Sequence, residues 1–399
     1  MDSISRHGQP DAANAPKPFQ RVMLCVTEDW FALSHFQPLI ATLVRLAERV
    51  LVVTRSSGRL GEITALGAET RELDYHRSSL NPRQEAQSAR RLAAVIREFK
   101  PDAVHLVAMK PIVLGGLAVR LATVPHVVLH LTGLGFLGIT DTPKVRLVRW
   151  LVLKHIAATL ARRGSWLFAE NTEDVAYLEA SGVRTRDRCT LLGGAGIDPE
   201  LFPRQPAPVA AQVSAAYVGR MIRPKGVDVL MAASRLLAQR GVPLTIDLYG
   251  HSDTGNPEAI EPAELEAWSA EGHGRWHGPT RDVAGVWRAA DIFVLPARSR
   301  EGLPRALLEA AASGRPAIVT DVPGCRSFVR DGIEGLIVPP EDARALADAL
   351  ERLALNAELR ARLGTAARAR VLDGYTIAQV TAAIDRSYRA LAAQGARPS

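Results

Sequence analysis

The sequence predicts an α/β protein made of two parallel-sheet domains that face a central cleft. Three observations carry this reading. From Arg21 onward short apolar runs alternate with amphipathic helical stretches, the pattern of parallel strands joined by helices. A stretch punctuated by Pro203, Pro206 and Pro208 interrupts the alternation, which resumes at Ala215. The length of 399 residues suits two or three domains, and 47% hydrophobic with 23% charged residues is a globular composition.

The expected division is a disordered lead over 1–19, a first domain over 20–204, a second over 205–375, and a C-terminal helix over 376–399 that packs back on the first domain. The lead is polar, with several Ala and Pro and no apolar core, so it does not read as a signal peptide. Cys25, Cys189 and Cys325 lie far apart and form neither a disulfide framework nor a zinc pattern, which fits a reducing compartment. No run reaches the ~18 apolar residues of a membrane span, so the expected location is cytoplasmic, or peripheral on the inner face of the plasma membrane.

The net charge of +7 is uneven. Residues 21–204 hold 24 Lys/Arg against 18 Asp/Glu, whereas 205–399 hold 23 against 22. A basic first domain implies an anionic partner: a nucleic acid, a phospholipid surface or a phosphorylated substrate.

In the first half, Val22–Val26, Val50–Thr54, Val104–Leu106, His126–Leu129 and Leu167–Ala169 read as strands. Phe36–Arg49 and Arg83–Lys100 read as helices, the second with Ala89, Leu92, Ala93 and Ile96 at helical spacing. The first strand opens into Thr27–His35 and not into G-x-G-x-x-G, so neither a dinucleotide nor an oxidoreductase is expected. His130 ends a strand and starts a Gly-rich loop running to Gly138, a good place to meet substrate. His35, His105 and His126 read as packed or supporting residues, although His35 also lies past a strand end. The segment Pro143–Arg163 carries Lys144, Arg146, Arg149, Lys154, Arg162 and Arg163 without an acid, interleaved with Leu147, Trp150, Leu151 and other apolar residues. It reads either as a helix lying on an anionic bilayer or as a domain helix with a solvated basic face.

In the second half, the strand Ala215–Val218 enters Gly219–Gly226, a turn bearing Arg220 and Lys225 before a helix from Val227. Backbone amides at a helix start, with two cations, make a diphosphate site. Strands at Leu244–Tyr249, Ile292–Pro296 and Pro316–Val319 follow, and Gly332–Pro340 reads as a turn, strand and stop. Helices are expected over Glu341–Leu353, Ala357–Leu372 and Ile377–Leu391. Between two of those strands lies E-G-L-P-R-A-L-L-E, Glu301 to Glu309. A helix over Leu303–Ala312 puts Glu301 at its approach and Glu309 about two turns in, with roughly 12 Å of rise between the carboxylates. Each acid alone reads as an ordinary helix residue, but together they suit gripping two parts of one long ligand.

The order G-R-x-x-x-x-K-G (Gly219–Gly226), R-x-x-E-G-x-P-x-x-x-x-E (Arg298–Glu309), G-x-P (Gly314–Pro316), D-V-P-G-C (Asp321–Cys325) and G-x-E-G-L-I-V-P-P (Gly332–Pro340) resembles retaining glycosyltransferases of family 4. Their GT-B fold sets two Rossmann-like βα domains around a cleft. The D-W-F-x-x-S-H opening and the H-x-T-G-L-G-F loop resemble the bacterial capsule and O-antigen branch, which uses lipid-diphosphate-linked acceptors. The resemblance implies hexosyl transfer from a nucleotide-diphosphate sugar, UDP favoured, to a glycan or polyprenyl-diphosphate-linked acceptor in cell-surface polysaccharide synthesis. Arg220 and Lys225 match the cations on the donor diphosphate, Glu309 the acid on the ribose hydroxyls, and Glu301 the acid on the donor sugar. Gly219 and the backbone of Gly302, Leu303 and Pro304 fall in the donor site, and His130 matches the first-domain residue near the transferred sugar. Lys144, Arg146, Arg149, Trp150 and Lys154 are the acceptor or membrane candidates. The double-glycine loop usual after the first strand is replaced by Thr27–His35. No metal or other cofactor is assigned, and no nucleic acid is expected as a partner. The alternatives are a nucleotide-sugar epimerase of the same fold or a catalytically inactive membrane or nucleic-acid binding protein.

Overall fold

The computed structural model describes residues 16–74, 82–134, 142–204 and 212–395. Most of the expected lead, most of the Pro-punctuated stretch and residues 135–141 of the loop after His130 lie outside them. The first domain holds β1 (Phe19–Glu28), β2 (Ala47–Arg55), β3 (Glu69–Glu72), β4 (Ala103–Val107), β5 (His126–Leu131), β6 (Ser165–Ala169) and β7 (Cys189–Leu191). They pair in parallel in the order β3-β2-β1-β4-β5-β6-β7. The second holds β8 (Val213–Val218), β9 (Leu244–Tyr249), β10 (Arg275–Trp276), β11 (Ile292–Leu295), β12 (Ala317–Thr320) and β13 (Gly335–Val338), also parallel, in the order β10-β9-β8-β11-β12-β13.

Each sheet reverses its winding beside its first strand. β1 lies between β2 and β4, and β8 between β9 and β11. A crevice opens at the strands' carboxyl ends where connections leave in opposite directions. Here those ends carry Thr27–His35 and Ala108 in one domain, and Gly219–Gly226 and Pro296–Pro304 in the other. Topology alone therefore brings the cation turn and the Glu301 loop to one place.

Side chains alternate across the first sheet with period two. Met23, Cys25, Leu51 and Val53 pack on one face with Leu92, Ala93 and Ile96 of the helix Pro82–Phe99. Val22, Leu24, Val50 and Val52 pack on the other with Leu39, Ile40 and Leu43 of the helix Gln37–Leu46. Val380, Ile384, Tyr388 and Leu391 of the C-terminal helix Ile377–Gly395 complete that second face. Just before this helix Ile197 exchanges backbone hydrogen bonds with Tyr375 and Ile377, which ties the crossing to the end of the first domain.

Three local details differ from the sequence reading. The helix after Glu301 runs Arg305–Ala312 rather than from Leu303, because Pro304 is extended (φ −63°, ψ 121°). β1 begins at Phe19, which is buried, so that residue belongs to the first domain and not to a lead. The stretch Phe36–Arg49 divides, with a helix to Leu46 and β2 from Ala47.

Candidate active site

A 560 Å³ cleft opens between the two domains. Its first-domain wall includes Thr27, Trp30, Phe31, His35, Lys110, Thr132 and Glu170; its second-domain wall includes Gly219, Arg220, Lys225, Glu301, Gly302, Leu303, Pro304, Arg305 and Glu309. A larger groove of 1310 Å³ on the outer face of the first domain, lined by Lys154, Arg184 and Arg186 among others, holds none of these groups. The carboxylates, cations and loop amides converge on the smaller cleft.

The cation turn is shaped by backbone needs. Tyr217 donates its hydroxyl to the Arg220 carbonyl (2.8 Å) from within the core. Gly226 caps the helix Val227–Gln239 at φ +73°, and a Cβ there would lie 1.9 Å from the Pro296 carbonyl oxygen, so the position requires glycine. The Lys225 ammonium reaches both carboxylate oxygens of Glu301, at 2.8 and 2.9 Å. Arg220 pairs with Asp253 at 2.9 Å. Arg298 turns away from the cleft and grips Asp228 through both carboxylate oxygens (2.6 and 2.8 Å), fastening the Glu301 loop to the helix behind the cation turn.

Glu309 sits in the fifth position of its helix, a little over one turn in, and is buried rather than solvated. Arg305, one turn earlier, donates to it at 2.8 Å. Burial pushes the Glu309 carboxyl up, and Arg305 works against that rise.

Three glycines let the loops meet. A Cβ at Gly133 would lie 2.8 Å from the Gly302 nitrogen. One at Gly302 would lie 2.5 Å from the Thr132 carbonyl oxygen, and one at Gly324 1.8 Å from the Gly302 carbonyl oxygen. The loop after β5 therefore touches the Glu301–Gly302 peptide, which itself rests on Gly324. Arg300 crosses to the first domain to pair with Asp174 (2.7 Å), and Arg326 to pair with Glu173 (2.5 Å).

His130 needs correction as a substrate-facing residue. It is almost fully buried and is not among the residues lining the cleft; Phe36, His105 and Phe168 surround it. Burial holds its imidazole down to about 3, so it stays neutral. Its Nε2 lies 4.0 Å from Glu170, and Glu170 takes the cleft-lining place. His35 lines the cleft, held down to about 3 by burial and by the nearby positive charges of Arg305, Lys225 and Arg220. Asp29, buried just past β1, accepts hydrogen bonds from Ser57 and Arg59. Burial works to raise its carboxyl, but these bonds outweigh it and hold the group below its usual range. They brace the start of a short helix, Asp29–His35, which stands in place of the double-glycine loop.

Glu170 and Lys110 escaped the sequence reading. Glu170 directly follows the apolar run Leu167–Ala169, so the strand-end rule that singled out His130 pointed to it equally. Of the acceptor and membrane candidates, Arg146, Trp150 and Lys154 are exposed and Arg149 is half-buried, and none lines the cleft. The side chain of Lys144 lies outside the described residues.

Comparison with known proteins matches both halves of the chain. Residues 21–162 match the family model "Glycosyl transferase 4-like", and 212–356 match "Glycosyl transferases group 1". The chain is 26% identical over 344 residues to N,N'-diacetylbacillosaminyl-diphospho-undecaprenol alpha-1,3-N-acetylgalactosaminyltransferase of Campylobacter jejuni, covering 83% of this chain and 89% of that one. It is 26% identical over 362 residues to the putative glycosyltransferase EpsD of Bacillus subtilis, covering 88% and 91%. Among solved structures, Anabaena Alr3699/HepE in complex with UDP and glucose superposes with a TM-score of 0.75 at 17% identity, covering 93% of this chain and all of that one. The two family matches fall on the two sheets that wall the cleft, and on this evidence the chain belongs to the family-4-like glycosyltransferases of the GT-B fold.

Proposed function

We propose that this glycosyltransferase moves a sugar from a UDP-sugar to a lipid-diphosphate-linked glycan, with retention of anomeric configuration, in cell-surface polysaccharide synthesis. One observation carries the reading: Arg220, Lys225, Glu301, the Gly302–Leu303 backbone and Glu309 all line one interdomain cleft. Two relatives support the choice of substrates. The Campylobacter relative is named for an undecaprenol-diphosphate acceptor, and the Anabaena structure holds UDP and glucose.

In this reading Arg220 and Lys225 take the diphosphate, Glu309 the ribose hydroxyls and Glu301 the donor sugar. Breaking the anomeric carbon–oxygen bond sends its electron pair to the diphosphate and leaves positive character on the sugar. Cations fixed where the negative charge grows lower the barrier, a contribution that is often the largest single one. The acceptor hydroxyl attacks from the leaving-group face, and its proton passes to the departing phosphate oxygen, which gives retention without a covalent enzyme intermediate. Lys225 changes partner from Glu301 to phosphate as the donor enters. The reading places the leaving-group charge on these two cations and assigns no metal.

No helix among the described residues is long and apolar enough to cross a membrane. The helix Pro143–Leu160 nevertheless exposes Leu147 (58%), Trp150 (55%) and Leu151 (52%) beside Arg146 and Lys154. Exposed aromatic and aliphatic side chains among cations suit the interface of an anionic bilayer, where a lipid-linked acceptor resides. We infer that this helix rests the first domain on such a surface.

The test is product analysis with purified protein, UDP-hexoses and a short polyprenyl-diphosphate-linked saccharide. The expected product is an acceptor longer by one sugar, with its new linkage in the donor's α configuration. An inverted linkage overturns retention; an isomerised nucleotide sugar with no transfer favours the epimerase; no turnover of any donor favours an inactive binding protein.

A further inference from the structure

Glu170 stands at the carboxyl end of β6 on the first-domain wall of the cleft, and the transfer chemistry leaves it without a role. Its Oε2 accepts the backbone N–H of Leu303 from the opposite domain at 2.9 Å. A Cβ at Gly302 would lie 2.2 Å from the same oxygen, so the donor loop is pressed onto this carboxylate. Its Oε1 faces His130 Nε2 at 4.0 Å, a buried nitrogen with no hydrogen-bond partner among the described residues. Behind it His130 Nδ1 lies 3.2 Å from His105 Nε2, and His105 Nδ1 lies 2.7 Å from the Tyr388 hydroxyl.

A neutral imidazole carries one donor and one acceptor. Burial keeps both histidines neutral. Their array can therefore run in two senses. In one, His130 Nε2 carries its hydrogen toward a Glu170 carboxylate. In the other, Nε2 is bare and faces the O–H of a Glu170 carboxylic acid. Either state of Glu170 is accommodated without a charge on the histidines.

We propose that Glu170 is a positioning residue that acts as a proton-linked latch: its carboxylate holds the Leu303 amide, and entry of a nucleotide-diphosphate sugar drives it to take up a proton, which replaces a charged acceptor by a neutral one and loosens that hold. The inference rests on the donor reading of the cleft. The groups facing Glu170 set the direction. Burial raises its carboxyl, the Leu303 hydrogen bond lowers it, and the charges of Asp174 and Glu301 raise it again, to about 7. Asp174 is paired with Arg300 and Glu301 with Lys225, while Lys110 and the neutral His35 line the same wall. A donor diphosphate that draws Lys225 away uncovers Glu301 and adds negative charge nearby, and both effects raise Glu170 further. Below pH 7 the group is already largely protonated and takes up little. Above it the donor must bring a proton, so affinity falls with rising pH by at most about tenfold per unit.

The test is calorimetric titration of the full chain at pH 8 with UDP-, GDP- and ADP-glucose, in HEPES and in Tris, which differ in ionisation enthalpy. These nucleotide sugars lack a phosphate ionisation near neutral pH, so buffer-dependent heat reports the protein. The expected result is uptake of up to about one proton per donor bound in wild type. The uptake is lost in Glu170→Gln, which keeps an oxygen for the Leu303 amide but cannot titrate. Donor binding without proton uptake, or uptake unchanged in Glu170→Gln, overturns the latch and leaves the donor reading standing. A wild type that binds none of the three overturns the donor reading, and the latch with it.

Discussion

Lys225 and Glu301, 76 positions apart, form a two-pronged ion pair in the interdomain cleft, with the ammonium 2.8 and 2.9 Å from the two carboxylate oxygens. The pair joins the turn after β8 to the loop after β11, the two strands that flank the reversal of the second sheet. Each partner holds the other where a donor would need it. Each also neutralises the other until a diphosphate takes the lysine.

Lys225→Ala should lower transfer by about 10²–10³-fold, the cost of removing one fixed group that stabilises developing charge. The fold should survive, since the lysine lies in the cleft wall and not in a core. Steady-state rates with saturating donor and a thermal melt check both halves. Normal turnover in a correctly folded variant would remove the lysine from the diphosphate site.

Gly302→Ala should separate the domains locally. The added carbon meets the Thr132 carbonyl oxygen at 2.5 Å, and backbone cannot yield as a flexible side chain can. Overpacking of this kind costs about 1–3 kcal/mol. The expected pattern is a modest drop in melting temperature with a large loss of activity, because the strain falls on the donor loop. Unchanged kinetics would show that the contact between Thr132 and Gly302 is not needed for turnover.

Acid should destabilise the protein through histidines that the fold keeps neutral. His35 and His130 are held down to about 3, against an ordinary value of 6.5. The unfolded chain therefore binds protons that the native state refuses as pH falls below 6.5. The contribution is fully present above that value and is lost progressively toward about 3, by up to about 1.4 kcal/mol per unit for each histidine. Denaturant unfolding at pH 7 and pH 5 should show the loss, and His130→Gln should flatten its slope. An equal slope in that variant would assign the acid sensitivity elsewhere.

Trp150→Glu combined with Leu151→Glu should abolish sedimentation with vesicles containing anionic phospholipid while leaving donor binding intact. Wild-type binding should weaken as salt is raised, because the basic side chains contribute through screened charge. Equal vesicle binding by the double variant would move the contact away from this helix.

The alternation of strands and helices was legible because buried parallel strands read as uninterrupted apolar runs. The elements that were not legible lack such a signature. β3 is E-T-R-E, a short and largely exposed edge strand with no apolar residue. The helix Met109–Leu121 is apolar on nearly all sides, so it shows no helical stripe. In the cleft, the cation turn and the glutamate loop were legible as strand-end motifs, whereas the Lys225–Glu301 pair was not, since no local spacing records a contact across 76 positions. The choice between His130 and Glu170 was equally closed. Each closes an apolar run in the sequence, but in the structure His130 lies within β5 in register with Phe168, whereas Glu170 follows β6 and lines the cleft.

Glu309 gives the most direct test of the central claim, that this cleft holds a nucleotide-sugar donor. It is buried, so no exposed surface role competes, and losing a charged hydrogen-bond partner costs about 1.5–3 kcal/mol, some tenfold to more than a hundredfold in affinity. The measurement is saturation-transfer NMR of wild type and Glu309→Ala with UDP-, GDP- and ADP-sugars. The account predicts transfer to the UDP-sugar in wild type and its disappearance in the variant. Binding that persists undiminished in Glu309→Ala, or no binding of any of the three by wild type, would contradict it.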